Sequence, residues 1–203
     1  MRRLLTQIVV LSVGAVALVG FGGISAFLAS NHAGTSVAAD SSDVVQMRAQ
    51  LADAKRELER AHQILEYSGR YAIPADLSAQ IYDIATQEGI PASVGFQLVK
   101  VESEFQNTAQ SPASAIGLTQ LRLATARAYD AKVDPSDLMN PDVNLKLGFR
   151  YLKDLLNRFD HDLPLALEAY NKGPTFVSAE QDQGRDVMGR YSKSVIAGVR
   201  RKG

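Results

Sequence analysis

Two glutamates only two positions apart, Glu102 and Glu104, have very different neighbours. A helix over residues 91–106 places Leu98 and Val99 one turn before Glu102 and Phe105 one turn after it, so the side chain sits among apolar groups. Glu104 has Lys100 four residues back and Asn107 and Thr108 ahead of it, the setting of a solvated carboxylate with an ion-pair partner. Apolar burial disfavours the charged form and raises a carboxyl pKa, which makes Glu102 the better holder of a proton near neutral pH. That is what a general acid requires. A lone Glu at the edge of an apolar stripe is more often a boundary residue with its head in water, so the acid reading needs support from elsewhere in the chain.

Two later segments supply it. Ser111 to Gln120 is rich in turn formers, reaches Gly117, and is expected to enter a helix through Leu121, Ala124, Thr125 and Ala126. Ala169-Tyr170-Asn171-Lys172-Gly173-Pro174 ends a helix carrying Leu163, Leu165 and Leu167, with its stop expected at Asn171 and with Gly173 and Pro174 as breakers. Aromatic and amide side chains at a helix end suit a carbohydrate site.

Glu102-Ser103, Gly117-Leu118-Thr119-Gln120 and Ala169-Tyr170-Asn171, in this order and spacing, resemble the three motifs of the soluble lytic transglycosylase (SLT) domain family. The resemblance runs from about Pro74 to about Val199 and includes Asn140 to Gly148, similar to that family's run into its long helix. It implies a lysozyme-like fold related to goose-type lysozyme. It also implies cleavage of the β-1,4 bond between N-acetylmuramic acid and N-acetylglucosamine in peptidoglycan, with Glu102 as acid and then base. Thr119, Arg122 and Leu123 stand where the family usually carries methionine, methionine and proline, and Ser114 where glycine is common. These departures bear on substrate contacts more than on the acid, and Arg122 could meet a peptide-stem carboxylate or face water.

The resemblance implies supporting roles, each with an ordinary alternative. Ser103 and Ser111 could bond near the Glu102 carboxyl or a sugar acetamido group, or serve the local backbone. Gln120 offers a donor and an acceptor to a sugar amide, as any surface Gln does. Tyr170 could stack on a pyranose with its hydroxyl reaching Glu102 or the glycan, or be a core aromatic. Asn171 could touch substrate or simply stop its helix. Tyr191, near the start of the last helix, is a weaker candidate for lining the cleft.

Glycoside hydrolysis ordinarily uses two carboxylates flanking the anomeric carbon. Glu104 projects about 200° around the helix from Glu102. Asp134, Asp137, Asp142, Asp160 and Asp162 fall in or beside turns, where Asp commonly caps helices. The family's substrate-assisted route, in which the N-acetyl group shields the developing charge and the muramyl 6-hydroxyl closes a 1,6-anhydro ring, is consistent with a missing second carboxylate. The alternatives are a lysozyme-type muramidase using water and a non-catalytic peptidoglycan-binding scaffold.

Other chemistries find little footing. The chain has no cysteine, which excludes thiol nucleophiles and disulfides. His32, His62 and His161 are scattered without metal-ligand spacing, and neither a Gly-x-Ser-x-Gly elbow nor a phosphate loop occurs, so no cofactor or metal is expected. The net charge is zero and the basic residues are dispersed apart from Arg200-Arg201-Lys202, so nucleic acid is not an expected partner.

Three segments must carry this chemistry. Residues 1–39 hold Arg2 and Arg3 before an uncharged, nearly all-apolar stretch, Ile8 to Ala29, long enough to span a bilayer core of about 30 Å. It reads as an uncleaved anchor in a bacterial inner membrane with the remainder in the periplasm, or as a signal cleaved after Ala39. In residues 40–70, Val44, Leu51, Leu58 and Leu65 repeat at seven, with Met47, Ala54 and Ala61 between them. This is the pattern of a short coiled coil, which would form a homodimer through residues 44–65. An amphipathic helix folding back on the domain, or a solvated spacer, would read the same way. A hinge is expected over Gly69 to Pro74. Residues 71–203 form the catalytic domain, expected to be mainly α, with apolar faces at Leu77, Ile81, Ile84 and Ala85, at Leu145, Leu152, Leu156 and Phe159, and at Tyr191, Val195 and Val199.

Overall fold

The computed structural model describes residues 36–200. The apolar stretch read as an anchor, residues 8–29, lies outside them, and among the described residues no helix is long and apolar enough to cross a membrane. The described residues divide into two units, one up to Arg48 and one from Ala49 onward. The structure is mainly helical: α1 Ser36–Tyr71, α2 Ala75–Glu88, α3 Ala92–Ser103, α4 Leu123–Arg127, α5 Pro141–Arg158, α6 Leu163–Lys172, α7 Pro174–Asp182 and α8 Arg190–Arg200. A two-stranded antiparallel hairpin, β1 Ala115–Ile116 and β2 Leu121–Arg122, precedes α4, and a 3₁₀ turn over Asp137–Met139 leads into α5.

The expected apolar faces build the core. Helix α5 lies against α2 and α6, and α8 against α3 and α6, around fully buried Phe96, Leu98, Leu145, Phe149, Leu152 and Leu167. A second, smaller cluster of Ile116, Leu121, Ala126, Val133, Leu138 and Leu147 lies beneath the hairpin. Local signals start the helices. Asn140 Oδ1 accepts from the Asp142 amide at 3.0 Å ahead of α5, and Asp162 Oδ1 accepts from the Leu165 amide at 3.0 Å ahead of α6.

Four expectations about the elements are corrected. The helix bearing Glu102 stops at Ser103, because Glu104 (φ 51°) and Phe105 (φ 65°) turn left-handed. Glu104 therefore leaves the helix, and Phe105 packs on Tyr71 with ring centroids 5.1 Å apart instead of sitting one turn beyond Glu102. Residues 115–122 form a hairpin where only a turn into a helix was expected. Helix α6 runs one residue past Asn171, and Pro174 opens α7 immediately after Gly173.

The fourth correction concerns the hinge at the end of the stalk helix. Among the described residues, Val44, Met47, Leu51, Leu58 and Leu65 of the seven-residue stripe are all exposed. A different face of the same helix packs within the second unit: Ile64 and Tyr67 are buried, and the Tyr67 ring stacks on Phe96 at 4.1 Å. Arg60 meets both Asp83 oxygens at 2.7 and 2.6 Å, and Ser78 Oγ donates to the Ile64 carbonyl at 2.8 Å. The expected hinge begins later than Gly69, because α1 continues to Tyr71 and only residues 72–74 break it.

Candidate active site

Glu102 occupies the last turn of α3 and lines a cleft of about 520 Å³ together with Ser111, Gln120, Arg122, Tyr151, Tyr170 and Asn171. Burial pushes its carboxyl from 4.5 up to about 7, against a smaller opposing effect of the hydrogen bond that the Tyr191 hydroxyl donates to Oε1. Burial and the adjacent Glu102 charge hold the Tyr191 phenol well above its ordinary value, so it remains a donor at neutral pH.

The hairpin forms one wall, and a buried amide holds it. Asn144, in the first turn of α5, accepts from the Thr119 amide and Thr119 Oγ1, both at 2.8 Å. Its Nδ2 donates to the carbonyls of Ile116 at 2.8 Å and Leu138 at 2.9 Å. Gly117 has φ 79°, and a Cβ there would lie 2.3 Å from both Asn144 Nδ2 and the Leu138 carbonyl oxygen, so both backbone conformation and space require glycine. Tyr170 ties α6 to the same wall, its hydroxyl donating to the Thr119 carbonyl at 2.9 Å.

Five of the seven site residues read from the sequence line the cleft: Glu102, Ser111, Gln120, Tyr170 and Asn171. Ser103 does not; it is buried and donates to the carbonyls of Val99 at 3.1 Å and Leu118 at 2.8 Å, fastening α3 to the hairpin. Tyr191 reaches Glu102 from α8, and the Tyr170 hydroxyl, expected to reach Glu102 or the glycan, is committed to Thr119. Ser111 Oγ accepts from the Ala115 amide at 3.1 Å, and Gln120 Nε2 donates to the carbonyls of Ala109 and Gly117 at 3.1 and 3.0 Å. Of the unusual positions, Thr119 is fully buried on Asn144, away from the cleft, whereas Arg122 lines it.

The Transglycosylase SLT domain family matches residues 80–191, more than half of the chain, and that stretch contains every element of this cleft. The chain belongs to the SLT transglycosylase family. It is similar to the peptidoglycan transglycosylase gp16 of Escherichia phage T7, at 28% identity over 134 residues, which is 64% of this chain and 10% of that protein. It is also similar to the soluble lytic murein transglycosylase of Escherichia coli K12, at 29% identity over 92 residues, 42% of this chain and 14% of that protein. Among solved structures, the lytic transglycosylase Slt of Pseudomonas aeruginosa, in an inactive mutant form, superposes with a TM-score of 0.55 at 28% identity, covering 60% of this chain and 23% of that one. The 70 kDa soluble lytic transglycosylase of Escherichia coli gives the same TM-score at 23% identity, covering 66% and 24%, which is a likeness of fold. The chain therefore spans a quarter or less of the length of these relatives.

Two members of this SLT site escaped the sequence reading. Tyr151 lines the cleft and tilts against Tyr170 with centroids 5.1 Å apart; its place ten residues into α5 follows from the helical period, but only the fold shows which face meets the cleft. Asn144 read as part of a motif run, although an Asn in the first turn of an otherwise apolar helix face was a usable signal.

Proposed function

We propose that this chain is a peptidoglycan lytic transglycosylase that cleaves the β-1,4 bond between N-acetylmuramic acid and N-acetylglucosamine, with Glu102 as acid and then base. The observation that carries the reading is a carboxyl held at about 7 by burial within an open cleft. Protonated Glu102 gives its proton to the glycosidic oxygen as the bond to the muramyl anomeric carbon breaks. The substrate's own N-acetyl group shields the positive charge left on that carbon. The Glu102 carboxylate then takes the proton of the muramyl 6-hydroxyl as that oxygen closes on the anomeric carbon, leaving a 1,6-anhydro end and a reprotonated acid. Tyr191 steadies the carboxylate during the interval when it is charged.

The rings of Tyr151 and Tyr170 offer faces for sugar stacking, and Asn171 and the Gln120 amide oxygen offer polar contacts. The resemblance to murein transglycosylases supports the substrate class. An inactive form of the Pseudomonas relative, carrying glutamine in place of a glutamate, fits chemistry that depends on a single carboxylate. The envelope location and the anchor at residues 8–29 belong to this proposal, as does a dimer formed when the exposed Leu51, Leu58 and Leu65 stripe meets a second copy.

Mass analysis of the products released from purified sacculi tests it. Anhydromuropeptides that disappear with Glu102→Gln support the lyase. Reducing ends would make the protein a lysozyme-type hydrolase, and an inert protein that binds sacculi as well as Glu102→Gln does would make it a scaffold.

A further inference from the structure

Helix α8 begins at Arg190, and the residue before it, Gly189, has no side chain with which to cap the free amides of the first turn. Glu168, from α6, takes that role. Its side chain is fully buried, and Oε1 accepts from the Gly189 amide at 2.8 Å, the Ser192 amide at 3.1 Å and Ser192 Oγ at 2.7 Å. Oε2 pairs with Lys172 at 2.9 Å, and the Lys172 ammonium also donates to the Val187 carbonyl at 2.8 Å, closing the loop that enters α8. The approach is close: a Cβ at 189 would lie 3.0 Å from both carboxylate oxygens, so a side chain there would require the carboxylate to give way by a few tenths of an ångström. Burial alone would raise the Glu168 carboxyl; the donors from Ser192, Lys172 and Gly189 outweigh it and keep it below the usual carboxylate range. Negative charge is thus fixed at the positive end of α8.

Between the two anchored positions, Gly189 and Ser192, lies Tyr191, whose hydroxyl donates to Glu102. We propose that Glu168 is a positioning residue for the reaction: by capping α8 from α6 it fixes where the Tyr191 hydroxyl meets the Glu102 carboxyl. Glu168 does not touch substrate in this scheme. It acts through one backbone turn, so the helix that brings Tyr170 and Asn171 to the cleft also sets the partner of the acid. The inference rests on Glu102 being the acid but not on which product forms.

The charged and titratable groups around this path are few. Glu102 on α3 faces Tyr191 from α8 and Tyr170 from α6; Glu168 faces Lys172 on its own helix, and its charge, like that of Glu102 but more weakly, also raises the Tyr191 phenol. Because the Tyr191 bond favours the ionised form of Glu102, freeing Tyr191 raises the Glu102 titration.

The test follows the Glu102 carboxyl by carbon NMR in the full chain labelled at glutamate, with the signal assigned by its loss in Glu102→Gln. Glu168→Ala is expected to move the Glu102 midpoint upward to that of Tyr191→Phe, to move it no further in a Tyr191→Phe background, and to lower kcat about tenfold with KM little changed. Glu168→Gln, which keeps an acceptor oxygen for Gly189 and Ser192, should restore the midpoint and most of the rate. A Glu102 midpoint unmoved by Glu168→Ala, or moved equally in both backgrounds, overturns the proposal. Should circular dichroism show that Glu168→Ala does not fold, Ser192→Ala takes its place: a smaller upward shift is expected, and no shift overturns it. The titration is readable without turnover, so a protein inert on sacculi would sink the proposed activity and leave this coupling to be judged by itself.

Discussion

Tyr191 and Glu102 are 89 residues apart in sequence and share one hydrogen bond, the phenol of α8 donating to the carboxylate of α3. The bond opposes the burial that raises the Glu102 pKa without cancelling it, so the group titrates at about 7 and not at either extreme. Under the proposed mechanism, a stronger donor set would leave Glu102 ionised when a proton is needed, and a drier pocket would prevent it from serving as a base.

The raised pKa should cost the fold. An unfolded Glu102 ionises near 4.5 and the folded one near 7, so between these values the native state holds a proton that the unfolded state has released. Stability attributable to this group therefore falls as pH rises from 4.5 to 7, and the full penalty applies above 7, roughly 3 kcal/mol at most. Glu102→Gln should unfold at higher denaturant than the parent at pH 8 and show little of that advantage at pH 4. Equal gains at both pH values would show that the penalty does not come from ionisation.

Turnover should follow the protonated form. The kcat/KM for muropeptide release is expected to decline above pH about 7, approaching tenfold per pH unit, as Glu102 loses the proton it donates. A rate that stays flat to pH 9 would assign the acid role elsewhere.

Asn144 should be the most sensitive polar residue away from Glu102. Its side chain serves Thr119, Ile116 and Leu138 from a fully buried position, and Asn144→Ala strands those groups. A loss of about 2–4 kcal/mol in denaturant melts is expected, with activity falling as the wall loosens. Asn144→Asp, which replaces two donated bonds with an acceptor facing carbonyls, should cost at least as much.

The end of α1 should behave as core. Tyr67→Ala removes the ring stacked on Phe96 and should cost about 3 kcal/mol, whereas Leu65→Ala, two residues earlier and exposed, should cost less than 1. Comparable losses at the two positions would mean that the outward stripe is also covered.

That stripe has its own test. Leu51→Lys together with Leu58→Lys should convert a dimeric full chain to monomer in sedimentation while leaving thermal stability of the domain within about 0.5 kcal/mol. A parent that already sediments as monomer at high concentration would remove the second copy from the picture.

The raised titration of Glu102 was legible because part of its cause is local: Leu98 and Val99 precede it by one turn whatever the rest of the chain does. Helix starts at Asn140 and Asp162 were equally readable, as short polar side chains acting on amides two or three residues away. What escaped depends on distant partners. The two-residue strands of the hairpin are too short to show alternation, and they are held by Asn144 from beyond residue 140. The seven-residue repeat concealed a second face on α1, because Ile64 and Tyr67 are separated by three positions and only the presence of Phe96 identifies them as core. Tyr191 was placed near the cleft but not on Glu102, since the direction of its hydroxyl depends on how α8 is seated.

The hairpin is gripped from two directions, by Asn144 beneath and by Tyr170 across Thr119. Under the proposed activity, a sugar chain entering the groove would meet a bank held on both sides. Ser111, Gln120 and Tyr170 line the groove and hold that bank at the same time, so under the proposed activity discrimination between one glycan and another would fall to a lining side chain such as Arg122, which has no part in holding it.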